Sequence, residues 1–236
     1  MNYNFIKVDK EDYKFILTLN RPEKRNAFTP TMVNEIHHAF CEANEDDTIK
    51  IVLIKAEGPV FCAGMDLKTF ENPKLDLKNP FIENQDISLG EVFDKLLKPS
   101  VAIVEGNVIA GAFLIILGCT YVFSNVEVKF RLPELDLGLF PFQVMASLLK
   151  VMPEKSVLQL CLETNYFDAQ KAKNLGIVDG FLEEIAVMDF ISMFENKSIT
   201  AIKSGIESLR RLPDIPNQDR YSFMKEVLDR FKSKKG

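Results

Sequence analysis

Residues 98–112 read KPSVAIVEGNVIAGA, and this stretch decides the class of fold. Residues 101–104 form a short apolar run without alternation, which is typical of a strand buried on both faces. Gly106 follows, and a second apolar run near residues 109–117 predicts a helix. A buried strand followed by an apolar helix indicates an α/β unit.

The same alternation of strand and helix extends on both sides of this stretch. Residues 13–19 (YKFILTL) and 51–54 (IVLI) predict strands, and Thr29-Pro30 predicts a capped helix start between them. Further predicted elements are a polar, mobile loop at 71–88, a helix at 88–97 and short strands at 122–123 and 126–130.

The pattern changes in the last third of the chain. From about residue 143 the sequence is mostly helical, with prolines and glycines between the apolar runs. We therefore predict an α/β region first and a helical region after it.

Composition excludes several classes of function. The chain has 236 residues, of which 47% are hydrophobic, and this is enough apolar material for one sizeable core. Its net charge of −5 argues against nucleic acid as a partner, because a phosphate backbone attracts a basic surface. No apolar run reaches the roughly 20 residues that cross a membrane, and no apolar signal-peptide segment begins the chain. We therefore expect a cytoplasmic protein with no membrane partner.

Cysteine and histidine limit the available chemistry. The four cysteines form no CxxC pair and match no zinc spacing, so reduced thiols and no metal site are predicted. His37 and His38 are neighbours on one predicted helix and do not share a face, and surface positions are expected for both. A Ser-His-Asp or Cys-His arrangement would need one of them as its base. Acid–base chemistry is therefore expected from a carboxylate, a lysine or a tyrosine.

Common nucleotide-binding and hydrolase motifs are absent. Gly106 and Gly111 have the spacing of a P-loop, but Ala112 stands where that loop needs lysine. Neither G-x-G-x-x-G nor G-x-S-x-G occurs in the chain, which excludes the dinucleotide fingerprint and the nucleophile elbow.

Five segments follow one another at characteristic intervals. They are LNRPEKRNAF (19–28), FCAGMDLK (61–68), KPSVAIVEGNVIAGA (98–112), PELDLGLFP (133–141) and FDAQKAKNLGIVD (167–179). In this order they resemble the crotonase superfamily, the enoyl-CoA hydratase/isomerase family. The likeness extends over most of residues 5–210.

The resemblance implies a fold, a substrate class and an assembly. The family fold is a spiral of ββα units followed by a C-terminal helical region, which here would be residues 1–180 and 181–236. Members act on acyl-CoA thioesters, so coenzyme A is expected as part of the substrate, with no permanently bound cofactor. The family's helical region mediates assembly, which implies a homotrimer or hexamer.

The resemblance also places an oxyanion hole at the backbone amides of Met65 and Gly111. Such amides stabilise the charge that develops on a thioester carbonyl, and losing one donor typically costs about 3 kcal/mol. Gly111 would begin an apolar helix, whose dipole adds to this effect.

The residues that the resemblance assigns to binding lie close to these two positions. Residues 63–67 would line the adenine pocket through backbone contacts. Lys24 and Arg25 would face the phosphates of coenzyme A, although an ordinary solvated turn explains them equally well. The coenzyme A set is Lys24, Arg25, Ala27, Ala63, Gly64, Asp66 and Leu67, and the acyl pocket set is Phe113, Leu114 and Phe140.

Glu134 is the candidate acid–base group, at a position where the family has a catalytic glutamate. A carboxyl in apolar surroundings has a raised pKa and can accept and then donate a proton near neutral pH. The apolar neighbours expected from the sequence are Phe130, Leu132, Leu135, Phe140 and Phe142.

Leu114 distinguishes the reactions of the family. Hydratases that resemble this chain carry a second glutamate at this position, three residues after the oxyanion glycine. One carboxylate is enough for an isomerase, which moves a proton from C2 to C4 through a dienolate. We therefore expect a Δ3-Δ2-enoyl-CoA isomerase. Two alternatives stay open: an enoyl-CoA hydratase acting with one carboxylate, and a non-catalytic acyl-CoA-binding crotonase homologue.

Overall fold

The computed structural model describes residues 2–183 and 186–233. The strands are β1 (Ile6–Glu11), β2 (Lys14–Leu19), β3 (Ile51–Ala56), β4 (Val60–Cys62), β5 (Ser100–Val104), β6 (Asn107–Ile109), β7 (Tyr121–Ser124), β8 (Lys129–Arg131), β9 (Phe167–Asp168) and β10 (Gly180–Phe181). The α-helices are α1 (Pro30–Glu45), α2 (Leu67–Glu71), α3 (Leu89–Asp94), α4 (Phe113–Gly118), α5 (Phe142–Leu148), α6 (Glu154–Leu162), α7 (Ala169–Asn174), α8 (Val187–Ser192), α9 (Ile199–Arg211) and α10 (Arg220–Ser233).

Two sheets share these strands. The six-stranded sheet has the order β1-β2-β3-β5-β7-β10, and the four-stranded sheet has the order β4-β6-β8-β9. Along the chain, β3, β5 and β7 lie in the first sheet, and each is followed by a strand of the second sheet and then by helix. This repeat is the predicted spiral of ββα units, and the predicted helical C-terminal region follows it.

The apolar run at residues 51–54 is explained by burial on both faces of β3. Val52 and Ile54 pack into the main core, whereas Ile51 and Leu53 belong to a second cluster on the opposite face. Ile191 of α8 covers that second cluster. Because both faces are buried, the strand shows no alternation of apolar and polar residues.

Helix α1 begins where the sequence predicts. The Thr29 hydroxyl accepts a hydrogen bond from the Met32 N–H at 3.2 Å, and Pro30 occupies the first helical position. Ile36 and Phe40 lie on its fully buried face.

Three predicted elements have different bounds in the structure. The strand predicted at 126–130 begins only at Lys129, because Val126 and Glu127 form a turn. The helix predicted near 109–117 begins at Phe113, after β6 and a 3₁₀ helix at Ala110–Ala112. The helix predicted at 88–97 ends at Asp94.

The segment predicted as a mobile loop, residues 71–88, is anchored to α1 by buried polar groups. Asp76 accepts a hydrogen bond from the Thr31 N–H at 2.8 Å. The Asn79 amide donates to the Glu35 carboxylate at 2.8 Å, and both side chains are buried. These bonds hold the segment against the N-terminal half of α1.

The cysteines are free thiols, and only Cys41 is exposed among them. His37 and His38 are half-buried on α1 rather than fully at the surface. Among residues 2–183 and 186–233, no three His, Cys, Asp or Glu side chains are grouped as metal ligands.

The boundary predicted between residues 180 and 181 stays a prediction. The two regions on either side of it include residues 1, 184, 185 and 234–236, which lie outside the described residues. In the part of the chain that is described, no helix is both long enough and apolar enough to span a membrane.

Candidate active site

The three predicted catalytic positions follow three neighbouring parallel strands of the second sheet. Strand β4 pairs with β6 through Cys62 and Val108, and β6 pairs with β8 through Val108 and Phe130. The predicted positions that follow these strands are Met65, Gly111 and Glu134. Because the carboxyl ends of parallel strands meet at one edge of a sheet, these residues leave the sheet at the same edge.

The backbone segments that carry the predicted oxyanion amides touch each other at two glycines. A Cβ atom on Gly64 would lie 3.0 Å from the Gly111 nitrogen and 2.7 Å from the Ala110 Cβ. A Cβ atom on Gly111 would lie 3.7 Å from the Met65 nitrogen. Gly64 also has a φ of +86°, which an L side chain adopts only with strain. Close contact of the two segments therefore requires glycine at position 64.

Hydrogen bonds on one side of Met65 direct its own N–H to the other side. The Phe28 N–H donates to the Gly64 oxygen at 2.8 Å, and the Asp66 N–H donates to the Phe28 oxygen at 2.9 Å. In such a parallel bridge the residue between the two bonds, Met65, points its N–H away from Phe28. Within residues 2–183 and 186–233, neither the Met65 nor the Gly111 N–H donates a hydrogen bond to another residue. Both amides are free to bind a ligand oxygen.

Ala110 carries backbone strain beside this pair of amides. Its φ is +55°, in the left-handed region, although it has a side chain. That conformation costs an L residue roughly 1–2 kcal/mol. It turns the chain from β6 into the 3₁₀ helix that carries Gly111.

Glu134 begins a 3₁₀ helix at Glu134–Leu137, separated from the end of β8 by two residues. The Leu139 N–H donates to its backbone oxygen at 2.9 Å, with Gly138 in the left-handed region between them. The Glu134 Oε2 is buried and has no hydrogen-bond partner among the described residues. Burial raises the pKa of this carboxyl above its ordinary value. Such a group keeps its proton to a higher pH than an exposed glutamate does.

Helix α5 links the Glu134 segment to the oxyanion segment. It begins at Phe142, shortly after the 3₁₀ helix of Glu134, and it contacts both α4 and the 3₁₀ helix that carries Gly111. The candidate base and the candidate amide donors therefore belong to one packed unit.

Comparison with known proteins decides the family. Residues 14–227 match the family model described as enoyl-CoA hydratase/isomerase. The chain belongs to the enoyl-CoA hydratase/isomerase family. Enoyl-CoA hydratase EchA19 of Mycobacterium tuberculosis is 28% identical over 217 residues, which are 88% of this chain and 82% of that protein.

A second relative and a solved structure agree with this assignment. The hydroxycinnamoyl-CoA hydratase-lyase of Pseudomonas fluorescens is 25% identical, over 91% of this chain and 82% of that enzyme. The crystal structure of an enoyl-CoA hydratase from Shewanella pealeana superposes with a TM-score of 0.83, over 97% of this chain and 88% of the other. At 24% identity, that structure supports the fold alone.

The apolar surroundings of Glu134 in this family member differ in part from those expected. Phe130 and Leu132 are buried, but Leu135 is 38% exposed and Phe142 is 71% exposed, so neither of these two encloses the carboxyl. The 3₁₀ helix turns Leu135 outward. The buried Cys161 lies close enough to Glu134 to feel its charge, which the sequence did not indicate. Burial, and after it the charge of Glu134, raises the pKa of the Cys161 thiol to about 11.

The three residues predicted to line the acyl pocket occupy different places. Phe113 is fully buried, and its ring packs against Phe130 and Phe167 at centroid distances of 6.2 and 6.3 Å. Leu114 is 3% exposed and lies beside Gly90 of α3. Phe140 is partly buried against the core. Phe113 and Leu114 are both packed in the core, and pocket roles for all three residues stay predictions.

The loops predicted to bind coenzyme A run side by side. The Ala63 N–H donates to the Arg25 oxygen at 2.9 Å, which joins residues 21–28 to residues 63–66. The side chains at the rim of this pair of loops are exposed, and they are Lys24, Arg25 and Leu67. Ala27 and Ala63 are half-buried beneath them. Gly64 is buried, and the half-buried Asp66 side chain pairs with Arg21. The coenzyme A roles of these residues stay predictions.

Sequence reasoning missed the ion pair that holds Asp66. The Arg21 guanidinium donates to the Asp66 carboxylate at 2.7 Å and to the Ala27 oxygen at 2.8 Å. Both side chains of the pair are largely buried, at 10% and 15% exposure. Arg21 also lies over the Phe5 ring. This pair ties Arg21 and Ala27 to the residue that follows Met65.

Asn26 was missed as well. It is fully buried, with a φ of +51°, and its amide donates to the oxygens of Glu57 and Val60 at 2.8 and 2.9 Å. Its own oxygen accepts from the Arg21 N–H. The stretch NRPEKRN carries the only sequence signal for this arrangement, because asparagine tolerates left-handed backbone.

A groove of about 840 Å³ lies elsewhere, between α9, α10 and the end of α3. Helices α3 and α4 run in the same direction, since Gly90 meets Leu114 and Phe93 meets Gly118. The groove is lined by Asp94 and Leu97, so it lies at the opposite end of α4 from Gly111. It is separate from the candidate active site.

Proposed function

We propose that this chain is an acyl-CoA enzyme with Glu134 as its single acid–base group, and that its reaction is Δ3-Δ2-enoyl-CoA isomerisation. The observation that carries the proposal is the buried, unpartnered Oε2 of Glu134, at the same sheet edge as the free amides of Met65 and Gly111. A carboxylate beside an oxyanion hole suits proton abstraction next to a thioester.

The proposed reaction needs one base and two amide donors. The Glu134 carboxylate removes a proton from C2 of a 3-enoyl-CoA, and the electron pair of that bond moves into the thioester carbonyl. The resulting dienolate oxygen accepts hydrogen bonds from the Met65 and Gly111 amides. Protonated Glu134 then returns the proton to C4, and the double bond moves from C3–C4 to C2–C3. No water and no second base take part.

Leu114 supports isomerisation over hydration. It is 3% exposed and carries no group that could hold or activate water. A drier site also suppresses attack by water on the conjugated product.

A second candidate function is hydration of a 2-enoyl-CoA with one carboxylate. The names of the relatives favour it, because both EchA19 and the hydroxycinnamoyl-CoA enzyme are named as hydratases. In that case Glu134 would position and deprotonate the water.

We also propose that residues 63–67 hold the adenine of coenzyme A through backbone contacts, with Lys24 and Arg25 near its phosphates. Exposed cations at the rim of the paired loops support this.

For the assembly we propose a homotrimer or hexamer. It is supported by α10, which has no buried residue and exposes Tyr221 at 91%. Light scattering measures that assembly.

To test the proposal, the pure protein is incubated with a 3-enoyl-CoA and, separately, with a 2-enoyl-CoA. Isomerisation predicts that the first ester becomes the conjugated 2-enoyl ester, while the second is not hydrated. Ready hydration of the second ester would support the hydratase instead. Binding measured by calorimetry without turnover of either ester would point to a non-catalytic acyl-CoA-binding protein.

A further inference from the structure

Phe28 contacts both segments that carry the candidate oxyanion amides. Its backbone N–H and oxygen form the two hydrogen bonds that flank Met65. The tip of its ring lies against Gly111, because a Cβ atom there would be 2.9 Å from the Phe28 Cζ and 3.0 Å from its Cε1. The residue is 3% exposed. One residue therefore contacts both segments, the first through its backbone and the second through its ring.

The ring of Phe28 also contacts Phe70 on α2. The two ring centroids are 6.5 Å apart, and the planes cross at 87°, an edge-to-face arrangement. Phe70 lies five residues after Met65, so the same segment that carries one amide also holds the ring that touches the other. Movement of the Phe28 ring would therefore change its contact with Phe70, which is itself 41% exposed.

The position of an oxyanion donor matters at the scale of a few tenths of an ångström. Effective donors lie about 2.7–3.1 Å from the oxyanion. Productive geometry tolerates errors of only about 0.5 Å. A rigid ring wedged beside Gly111 limits how far that amide can approach or leave the Met65 amide.

We infer that Phe28 is a positioning residue that sets the spacing of the Met65 and Gly111 amides. The inference rests on the proposed function, since it assigns a role within the same oxyanion hole. Phe28 touches no reacting atom in this account. It acts through the two backbone segments, and so it should affect stabilisation of the dienolate more than binding of coenzyme A.

The test compares Phe28→Leu and Phe28→Tyr with a matched core variant, Phe40→Leu. Leucine removes the ring tip from Gly111, whereas tyrosine adds an oxygen at the atom that already meets Gly111. Phe40 is equally buried and packs edge-to-face on Phe93 at 5.0 Å, away from both amides. Its substitution controls for loss of core packing.

Two readouts separate positioning from stability. The first is the infrared carbonyl stretch of a bound saturated acyl-CoA labelled with ¹³C at the thioester carbon, which falls when the oxyanion hole polarises the carbonyl. The second is kcat and KM on the enoyl-CoA that the wild type converts. Both Phe28 variants should return the stretch toward that of the free ester and lower kcat about 10- to 100-fold, with KM within about threefold. Phe40→Leu should leave the stretch at its wild-type frequency.

The outcomes are distinct. A wild-type stretch in either folded Phe28 variant overturns the positioning role while leaving the proposed function intact. A wild-type protein that binds the ester without any change in the stretch overturns the oxyanion hole itself, and the inference with it. If Phe28→Leu does not fold, Phe28→Tyr alone decides, because it keeps the ring and changes only the contact with Gly111.

Discussion

Ile109 on β6 lies opposite Arg131 on β8 in parallel register. Two residues after Ile109 comes Gly111, and three residues after Arg131 comes Glu134. The pairing of two short strands therefore brings a candidate amide donor and a candidate base to the same edge of one sheet. Neither residue would be near the other without this register, because they are separated by 23 positions in the chain.

Stability should depend on the protonation of Glu134. Burial raises its pKa in the folded protein above that in the unfolded chain, so the folded state binds this proton more tightly. Its contribution is fully present below the unfolded pKa and is lost as the pH rises through the folded pKa. Relative to wild type, Glu134→Gln should therefore gain free energy of unfolding as the pH rises from about 4 to 8, measured by urea denaturation. An unchanged difference across that range would contradict the raised pKa.

The contact between the two oxyanion segments should not tolerate a side chain at position 64. Gly64→Ala combines a φ of +86° with an approach of 2.7 Å to the Ala110 Cβ. We expect a loss of about 2–3 kcal/mol in the free energy of unfolding. Gly138→Ala is the matched control, since Gly138 has a φ of +71° but nothing within 4 Å of its Cβ position. Equal losses in the two variants would show that the close approach is unimportant.

The interaction between the Arg21 and Asp66 side chains should contribute to the free energy of unfolding. Removing one partner leaves the other charge largely buried, and such a loss typically costs about 3–5 kcal/mol. In a double-mutant cycle of Arg21→Met and Asp66→Asn, the double variant should be more stable than the sum of the single losses predicts. The expected coupling energy is about 1–3 kcal/mol, measured by chemical denaturation. Strict additivity would mean that the pair contributes nothing.

Leu114 should separate the two candidate reactions. Leu114→Glu places a carboxylate three residues after Gly111, and if the wild type is an isomerase this variant should gain hydration of a 2-enoyl-CoA. Burying the new carboxyl should also reduce the free energy of unfolding by about 1–3 kcal/mol. Leu114→Gln has nearly the same shape without the charge and should gain no hydration. If the wild type already hydrates a 2-enoyl-CoA, and either variant does so more slowly, the hydratase function is favoured.

Local patterns predicted those parts of the fold that depend on local physics. Thr29 caps α1 because its hydroxyl reaches an amide three residues away, and the apolar run of β3 reflects burial on both faces. Motif order located Met65, Gly111 and Glu134, which the structure brings to one sheet edge. Their catalytic roles stay predictions.

Other features could not be predicted because they depend on contacts between distant parts of the chain. Arg21 finds Asp66 across 45 positions, and no local pattern indicates that pairing. Ala110 has a left-handed backbone beside Gly64, against the ordinary preference of alanine, and no local pattern indicates it. Phe142 was expected to enclose Glu134, but helix α5 directs it toward solvent.

The most direct test of Glu134 as the single proton carrier uses a 3-enoyl-CoA deuterated at C2. Wild type, Glu134→Gln and the exposed control Glu127→Gln are followed by NMR for conversion and for deuterium at C4. The account predicts that wild type and the control form the 2-enoyl ester with part of the C2 deuterium at C4, while Glu134→Gln is slower by about 10²- to 10⁴-fold. Conversion by Glu134→Gln at the wild-type rate, with the same transfer of deuterium, would contradict it.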